Sequence, residues 1–125
     1  MSVRAIGIDL IEVARVAAAL DRWGDRFIGR VFTAQEQEAA GRGVPAQAYA
    51  VRYAAKEAVS KCLGTGFKRG VRRLDIEVTG NEWGAPAVRL HGAAARHADG
   101  ARFMVSLTHT SGMAAAVAVM LEAEE

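Results

Sequence analysis

The chain has a single cysteine, Cys62, so no intramolecular disulfide can form and a reducing compartment suits it. It shows no charged-then-apolar leader, and the expected location is the cytoplasm. Long apolar runs are missing too. The longest, Met113 to Leu121, is rich in alanine and well short of the roughly 20 residues needed to cross a bilayer, which excludes a membrane helix. Only two prolines occur, Pro45 and Pro86, each beside a glycine-containing turn, and there is no repeat, low-complexity tract or charge block to mark a domain boundary. The 125 residues therefore read as one domain, 1–125, able to bury roughly two thirds of its unfolded surface without staples. Net charge is small as well: a balance of +2 neither demands nor forbids a nucleic acid.

What is present is a sequence of short, well-punctuated elements. Ala5 to Leu10 is an apolar run reaching Asp9 and Glu12, after which Val13, Val16, Ala17 and Leu20 recur at helical spacing. This predicts a strand leading into a helix. Thr33 followed by Glu36 is a capping-box pattern opening a short helix to about Gly41. Pro45 starts a longer helix that Gly64 stops, with Val51, Ala55, Ala58, Val59 and Cys62 on its apolar face. Tyr53, Glu57 and Lys61 step along another face at i, i+4, i+8. Asp75 to Thr79 and Ala87 to Leu90 read as a hairpin whose turn carries Asn81, Gly84 and Pro86. Ala93 to Ala98 reads as a short helix, and Phe103, Val105 and Leu107 alternate as a strand running into His109. Met113 to Leu121 has alanines that favour helix, but it follows a tight turn at Ser111-Gly112 and is expected to return as a strand. The fold class is α+β, with an antiparallel-type sheet packed against the long helix.

Two carboxylates stand out chemically. Asp9 closes Gly7-Ile8-Asp9, and Glu57 lies on the long helix one turn before Lys61. One or two carboxylates suffice to hold magnesium when water and substrate phosphate complete the octahedron. On bare spacing the plainer reading leads: Asp9 caps the following helix and Glu57 pairs with Lys61 at i, i+4. Gly64 and Gly66 fit a helix C-cap as readily as a phosphate cradle, although Lys61, Lys68 and Arg69 flank them. Lys56, beside Glu57, is expected at the rim of any site there. Arg15, Arg22, Arg26 and Arg30, with Phe27 among them, would share one stripe of an uninterrupted helix, and Gly24 is expected to break it. Such a basic surface is ordinary solvated helix or a seat for a small acidic partner.

Five segments together resemble a known family: Gly7-Ile8-Asp9-Leu10, Tyr53 to Lys61, Gly64-Thr65-Gly66, Asn81 to Pro86, and Ser106-Leu107-Thr108-His109. In order and spacing they resemble the holo-[acyl-carrier-protein] synthases, the small bacterial 4'-phosphopantetheinyl transferases. That resemblance reverses the preference above, because it implies that Asp9 and Glu57 are metal ligands for Mg2+ or Mn2+. It implies that Lys61, Gly64, Gly66, Asn81, Pro86 and His109 border coenzyme A, the co-substrate. Arg15, Arg22, Arg26, Phe27 and Arg30 would form the surface for apo-acyl carrier protein. The implied reaction, in fatty acid biosynthesis, is attack of a carrier serine on the β-phosphorus of coenzyme A, with Asp9, Glu57 and Lys61 catalytic. Its base is Glu57 or a water on the metal. A homotrimer with sites between subunits is implied as well. Tyr53 stands where the family commonly has phenylalanine, and its added hydroxyl needs a partner.

An RNA- or nucleotide-binding module would account for the arginines, but the chain lacks an aromatic-rich strand pair and a strongly basic balance. A metal-dependent phosphohydrolase would share the acidic pair, yet would release phosphate without any carrier.

Overall fold

The structure is a computed structural model, and it describes residues 2–80 and 83–123. The chain begins with β1 (Val3–Glu12) and continues through four helices, α1 (Val13–Trp23), α2 (Asp25–Val31), α3 (Ala34–Ala40) and α4 (Pro45–Leu63). One turn of 3-10 helix at Arg73–Asp75 leads into β2 (Ile76–Gly80) and β3 (Pro86–Leu90), then α5 (Gly92–Ala98), β4 (Arg102–His109) and β5 (Met113–Leu121). Three strands form an antiparallel sheet in the order β1-β5-β4, while β2 and β3 pair as a separate antiparallel hairpin.

The alanine-rich segment is a strand, as its place after the turn predicts. Ala114, Ala116, Ala118 and Met120 alternate toward the core, where Ala54, Ala55, Ala58 and Val59 of α4 meet them. Small residues on both sides let helix and sheet approach closely. Gly7 shows how closely: a Cβ there would overlap the Ala58 carbonyl oxygen and crowd Cys62 Sγ at 3.2 Å. The glycine of the Gly7-Ile8-Asp9 segment thus seats β1 against α4, and its next helix-facing neighbour is Asp9.

Helix boundaries follow local chemistry. Thr33 and Glu36 form the anticipated reciprocal capping box at the start of α3. Pro45 occupies the first turn of α4, and Gly64 ends it in the left-handed conformation at φ 76°. Gly24, at φ 51°, separates α1 from α2, so the arginines do not lie on one continuous stripe.

Two expectations require correction. Asp9 lies inside β1, because pairing with β5 continues from Asp9↔Ala116 to Glu12↔Met113. It therefore does not cap α1, whose N-cap is Glu12 without a side-chain cap bond. Lys56 is fully buried instead of lying at the rim, since its helix face turns under the segment that carries Arg73 and Ile76.

Candidate active site

Strand periodicity puts Asp9 on the face of β1 that looks toward α4, and one turn of α4 separates Glu57 from Lys61. The two elements meet through Lys61, whose Nζ donates to Asp9 Oδ1 at 3.2 Å and to the Ile8 carbonyl at 2.7 Å. Glu57 does not pair with Lys61. Its Oε1 accepts from Arg73 Nη2 at 2.8 Å instead. Asp9 and Glu57 line one cavity of about 350 Å³, together with Arg15, Phe27 and Tyr53. Burial raises the pKa of the Asp9 carboxyl above its ordinary value; Lys61 opposes that shift and the charge of Glu57 reinforces it.

A second cavity, of about 790 Å³, shares Phe27 and Tyr53 with the first. Arg26, Arg30, Trp23, Phe67 and Arg73 line it. Arg22 and Arg26 hold their guanidinium carbons 4.8 and 5.8 Å from the Trp23 ring centroid. The carrier-surface residues expected from sequence thus divide: Arg15 lies at the carboxylates, Arg26 and Arg30 lie along the larger cavity, and Arg22 stacks on Trp23. Phe27 touches both spaces. The Tyr53 hydroxyl sits between opposed charges: burial raises its pKa, Arg73 lowers it and Glu57 raises it.

Behind the carboxylates lies a buried polar network. Lys56 Nζ donates to Glu36 Oε1 at 2.8 Å and to the carbonyls of Arg73 and Ile76 at 3.0 and 2.6 Å. Glu36 also accepts from the backbone N–H groups of Thr33 and Val78, each at 2.8 Å. Burial lowers the Lys56 pKa, with Glu36 opposing. Lys56 thereby pins the backbone from which Arg73 reaches Glu57.

Other expected residues lie elsewhere in the protomer. Gly64 and Gly66 shape the loop after α4, with Gly66 N–H donating to the Ser60 carbonyl at 3.3 Å. Pro86 lines a different cavity, with Arg42 and Arg52. His109 ends β4, exposed, its Nδ1 3.4 Å from the Thr110 carbonyl. Neither Pro86 nor His109 lines the cavity of Asp9 and Glu57. Asn81 lies outside the described residues.

Among the described residues no group of three or more His, Cys, Asp or Glu is placed to hold a metal. The paired carboxylates do fit a hard divalent cation that takes the rest of its oxygens from water and phosphate. Sequence places Lys56 only at the rim of the site and Glu36 only in a capping box, and no spacing marks Arg73 as a neighbour of Glu57.

A sequence model of the 4'-phosphopantetheinyl transferase superfamily matches residues 5–117. The chain belongs to this superfamily. Within the superfamily it is similar to the holo-[acyl-carrier-protein] synthase of Solidesulfovibrio magneticus, 42% identical over 94% of this chain and 98% of that one. The synthase of Magnetococcus marinus is 44% identical over 92% and 90%. Among solved structures, the Helicobacter pylori holo-[acyl-carrier-protein] synthase in complex with coenzyme A superposes with a TM-score of 0.84 at 28% identity, covering 93% of this chain and 99% of that chain. The Mycobacterium tuberculosis enzyme gives 0.77 at 37% identity, covering 98% and 100%. These superfamily relatives make the protein an enzyme of the holo-[acyl-carrier-protein] synthase type, and its α+β fold is theirs.

Proposed function

We propose that this enzyme transfers 4'-phosphopantetheine from coenzyme A to a serine of apo-acyl carrier protein, with Mg2+ or Mn2+ at Asp9 and Glu57, in the cytoplasm and in service of fatty acid biosynthesis. The observation that carries the reading is the meeting of Asp9 of β1 and Glu57 of α4 at one cavity, with Lys61 bonded to the Asp9 carboxylate. The serine hydroxyl gives its proton to a base, Glu57 or a water, its oxygen bonds to the β-phosphorus, the bond from that phosphorus to the bridging oxygen breaks, and adenosine 3',5'-bisphosphate leaves with the electron pair. Little covalent chemistry falls to the protein in such a transfer, so position and charge dominate.

Asp9 and Glu57 would hold the divalent ion, which when bound neutralises pyrophosphate charge. Lys61, already at the Asp9 carboxylate, is placed to stabilise charge growing on the leaving bisphosphate. Gly64 and Gly66 follow directly and leave room for phosphates beside Lys61. Arg15, Arg22, Arg26 and Arg30, with Phe27, offer a cationic surface with an aromatic centre to an acidic carrier.

The active form is proposed to be a homotrimer with sites between subunits. Support comes from the sheet face turned away from α4, where Ile6, Ile8, Leu10 and Met104 are 68, 66, 64 and 63% exposed. Contiguous apolar surface of this kind marks an association face. The separation of Pro86 and His109 from the carboxylates in one protomer agrees, because a neighbouring subunit would then supply Asn81, Pro86 and His109 to the coenzyme.

Intact mass spectrometry of apo-acyl carrier protein, incubated with the enzyme, coenzyme A and magnesium, tests the whole reading. A phosphopantetheine-sized gain that a chelator abolishes is expected. No gain on a carrier that another transferase modifies would overturn the proposal, and phosphate release without carrier would replace it with a hydrolase.

A further inference from the structure

The motif residues leave one strong charge at the site without a role. Arg73 belongs to none of the five segments, yet its Nη2 holds Glu57 Oε1 at 2.8 Å. Its guanidinium carbon lies 4.2 Å from the Phe67 ring centroid and 5.3 Å from that of Tyr53. Its carbonyl is gripped by Lys56 at 3.0 Å. Its Nε is buried with no hydrogen-bond partner. Two nearby rings and a fixed backbone hold the group against the carboxylate.

Each carboxylate at the site thus has its own cation: Lys61 for Asp9 and Arg73 for Glu57. The two pairs are electrically neutral, and Arg15 adds a further positive charge at the same cavity. A divalent ion arriving alone meets carboxylates whose charge is already balanced. An anionic pyrophosphate arriving with it restores the attraction.

We infer that Arg73 is the resident counter-ion of Glu57 and makes divalent-ion occupancy depend on the phosphate-bearing substrate. The inference rests on the proposal that Asp9 and Glu57 bind the ion. Its consequence is that metal and coenzyme A bind cooperatively, each strengthening the other by the same factor. The free enzyme then resists loading by stray divalent ions.

The test is Mn2+ binding to the purified full-length protein, followed by the electron paramagnetic resonance signal of free Mn2+, with and without coenzyme A. Arg73→Met keeps an unbranched chain between Phe67 and Tyr53 and removes the charge. It is expected to bind Mn2+ alone at least about tenfold more tightly than wild type. Arg73→Lys keeps the charge and is expected to stay within about threefold of wild type. Coenzyme A is expected to tighten Mn2+ binding in wild type more than in Arg73→Met. Arg73→Gln serves as a second neutral variant if the methionine variant fails to fold. Binding by the neutral variants as weak as wild type, or weaker, would overturn the counter-ion role and leave Arg73 as a residue that only positions Glu57. Asp9→Ala separates the two levels of the argument. If it leaves Mn2+ binding unchanged, the metal assignment itself fails and the inference falls with it. If it abolishes binding while Arg73→Met has no effect, the inference alone fails.

Discussion

Lys56→Met reaches the site without touching it. Lys56 and Glu36 are both wholly inaccessible to solvent, and the lysine Nζ meets the Glu36 carboxylate at 2.8 Å. Removing it leaves a buried charge held by two backbone N–H groups and deprives the carbonyls of Arg73 and Ile76 of a donor. Breaking such a pair costs about 3–5 kcal/mol. With a urea m-value of about 2 kcal/mol/M, a 4 kcal/mol loss lowers the unfolding midpoint by about 2 M. That is a large fraction of the roughly 5–15 kcal/mol that holds a domain together. Urea unfolding followed by circular dichroism, at one fixed protein concentration so that the proposed assembly contributes equally to each variant, measures it directly. Adding Glu36→Gln should return about 2 kcal/mol, since the unpaired charge is gone while the amide oxygen still accepts from one of the two backbone N–H groups. Turnover should fall at saturating substrate, because the Arg73 backbone is freed and Glu57 loses its fixed partner. A cost below about 1 kcal/mol, the range of exposed pairs, or strict additivity in the double variant would refute the argument.

Further outcomes follow from the same geometry. Asp9→Ala and Glu57→Ala should each lower transfer at least about a hundredfold, more than the loss of an outer-shell partner, while circular dichroism stays unchanged; full activity in either would remove the metal assignment. Arg15→Ala should raise the KM for carrier several-fold with kcat little changed, and an unchanged KM would remove Arg15 from the docking surface. Because the folded-state pKa of Asp9 is raised, the unfolded chain ionises first as pH climbs past 3.8, so stability falls up to the folded value and stays lower above it. Asp9→Asn should therefore melt a few degrees above wild type at neutral pH without divalent ions, with the gap closing below pH 3.8; an equal or lower melting temperature at neutral pH would contradict this. Ile8→Glu should convert the proposed trimer to folded monomers by light scattering, and a variant that assembles as wild type does would move the proposed interface off this sheet face.

Much of the fold could be read locally. The capping box at Thr33, the proline that opens α4 and the glycine that closes it act within a turn of themselves, so sequence spacing is enough to find them. The return strand at Met113–Leu121 was harder, because alanine favours helix. Its preceding turn and its pairing on both edges, to β1 and β4, outweigh that preference. The apolar run from Ala5 to Leu10 is shorter than the strand that contains it, because pairing partners, not composition, set where a strand ends.

The candidate site divides in the same way. Asp9, Glu57 and Lys61 are visible in the chain because their motifs are contiguous, and Gly7 announces the close seat of β1 on α4 once the helix is placed. The charge pairing was not visible. Spacing allied Glu57 with Lys61, whereas the folded chain gives Lys61 to Asp9 and Arg73 to Glu57. Adjacent residues on α4 meet opposite fates: Lys56 is buried on Glu36 while Glu57 faces the cavity. Which face of a helix is covered, and by which distant segment, depends on how the 72–76 segment folds over α4. Local sequence determines the elements and the residues they display; only the packing of those elements decides which charges meet.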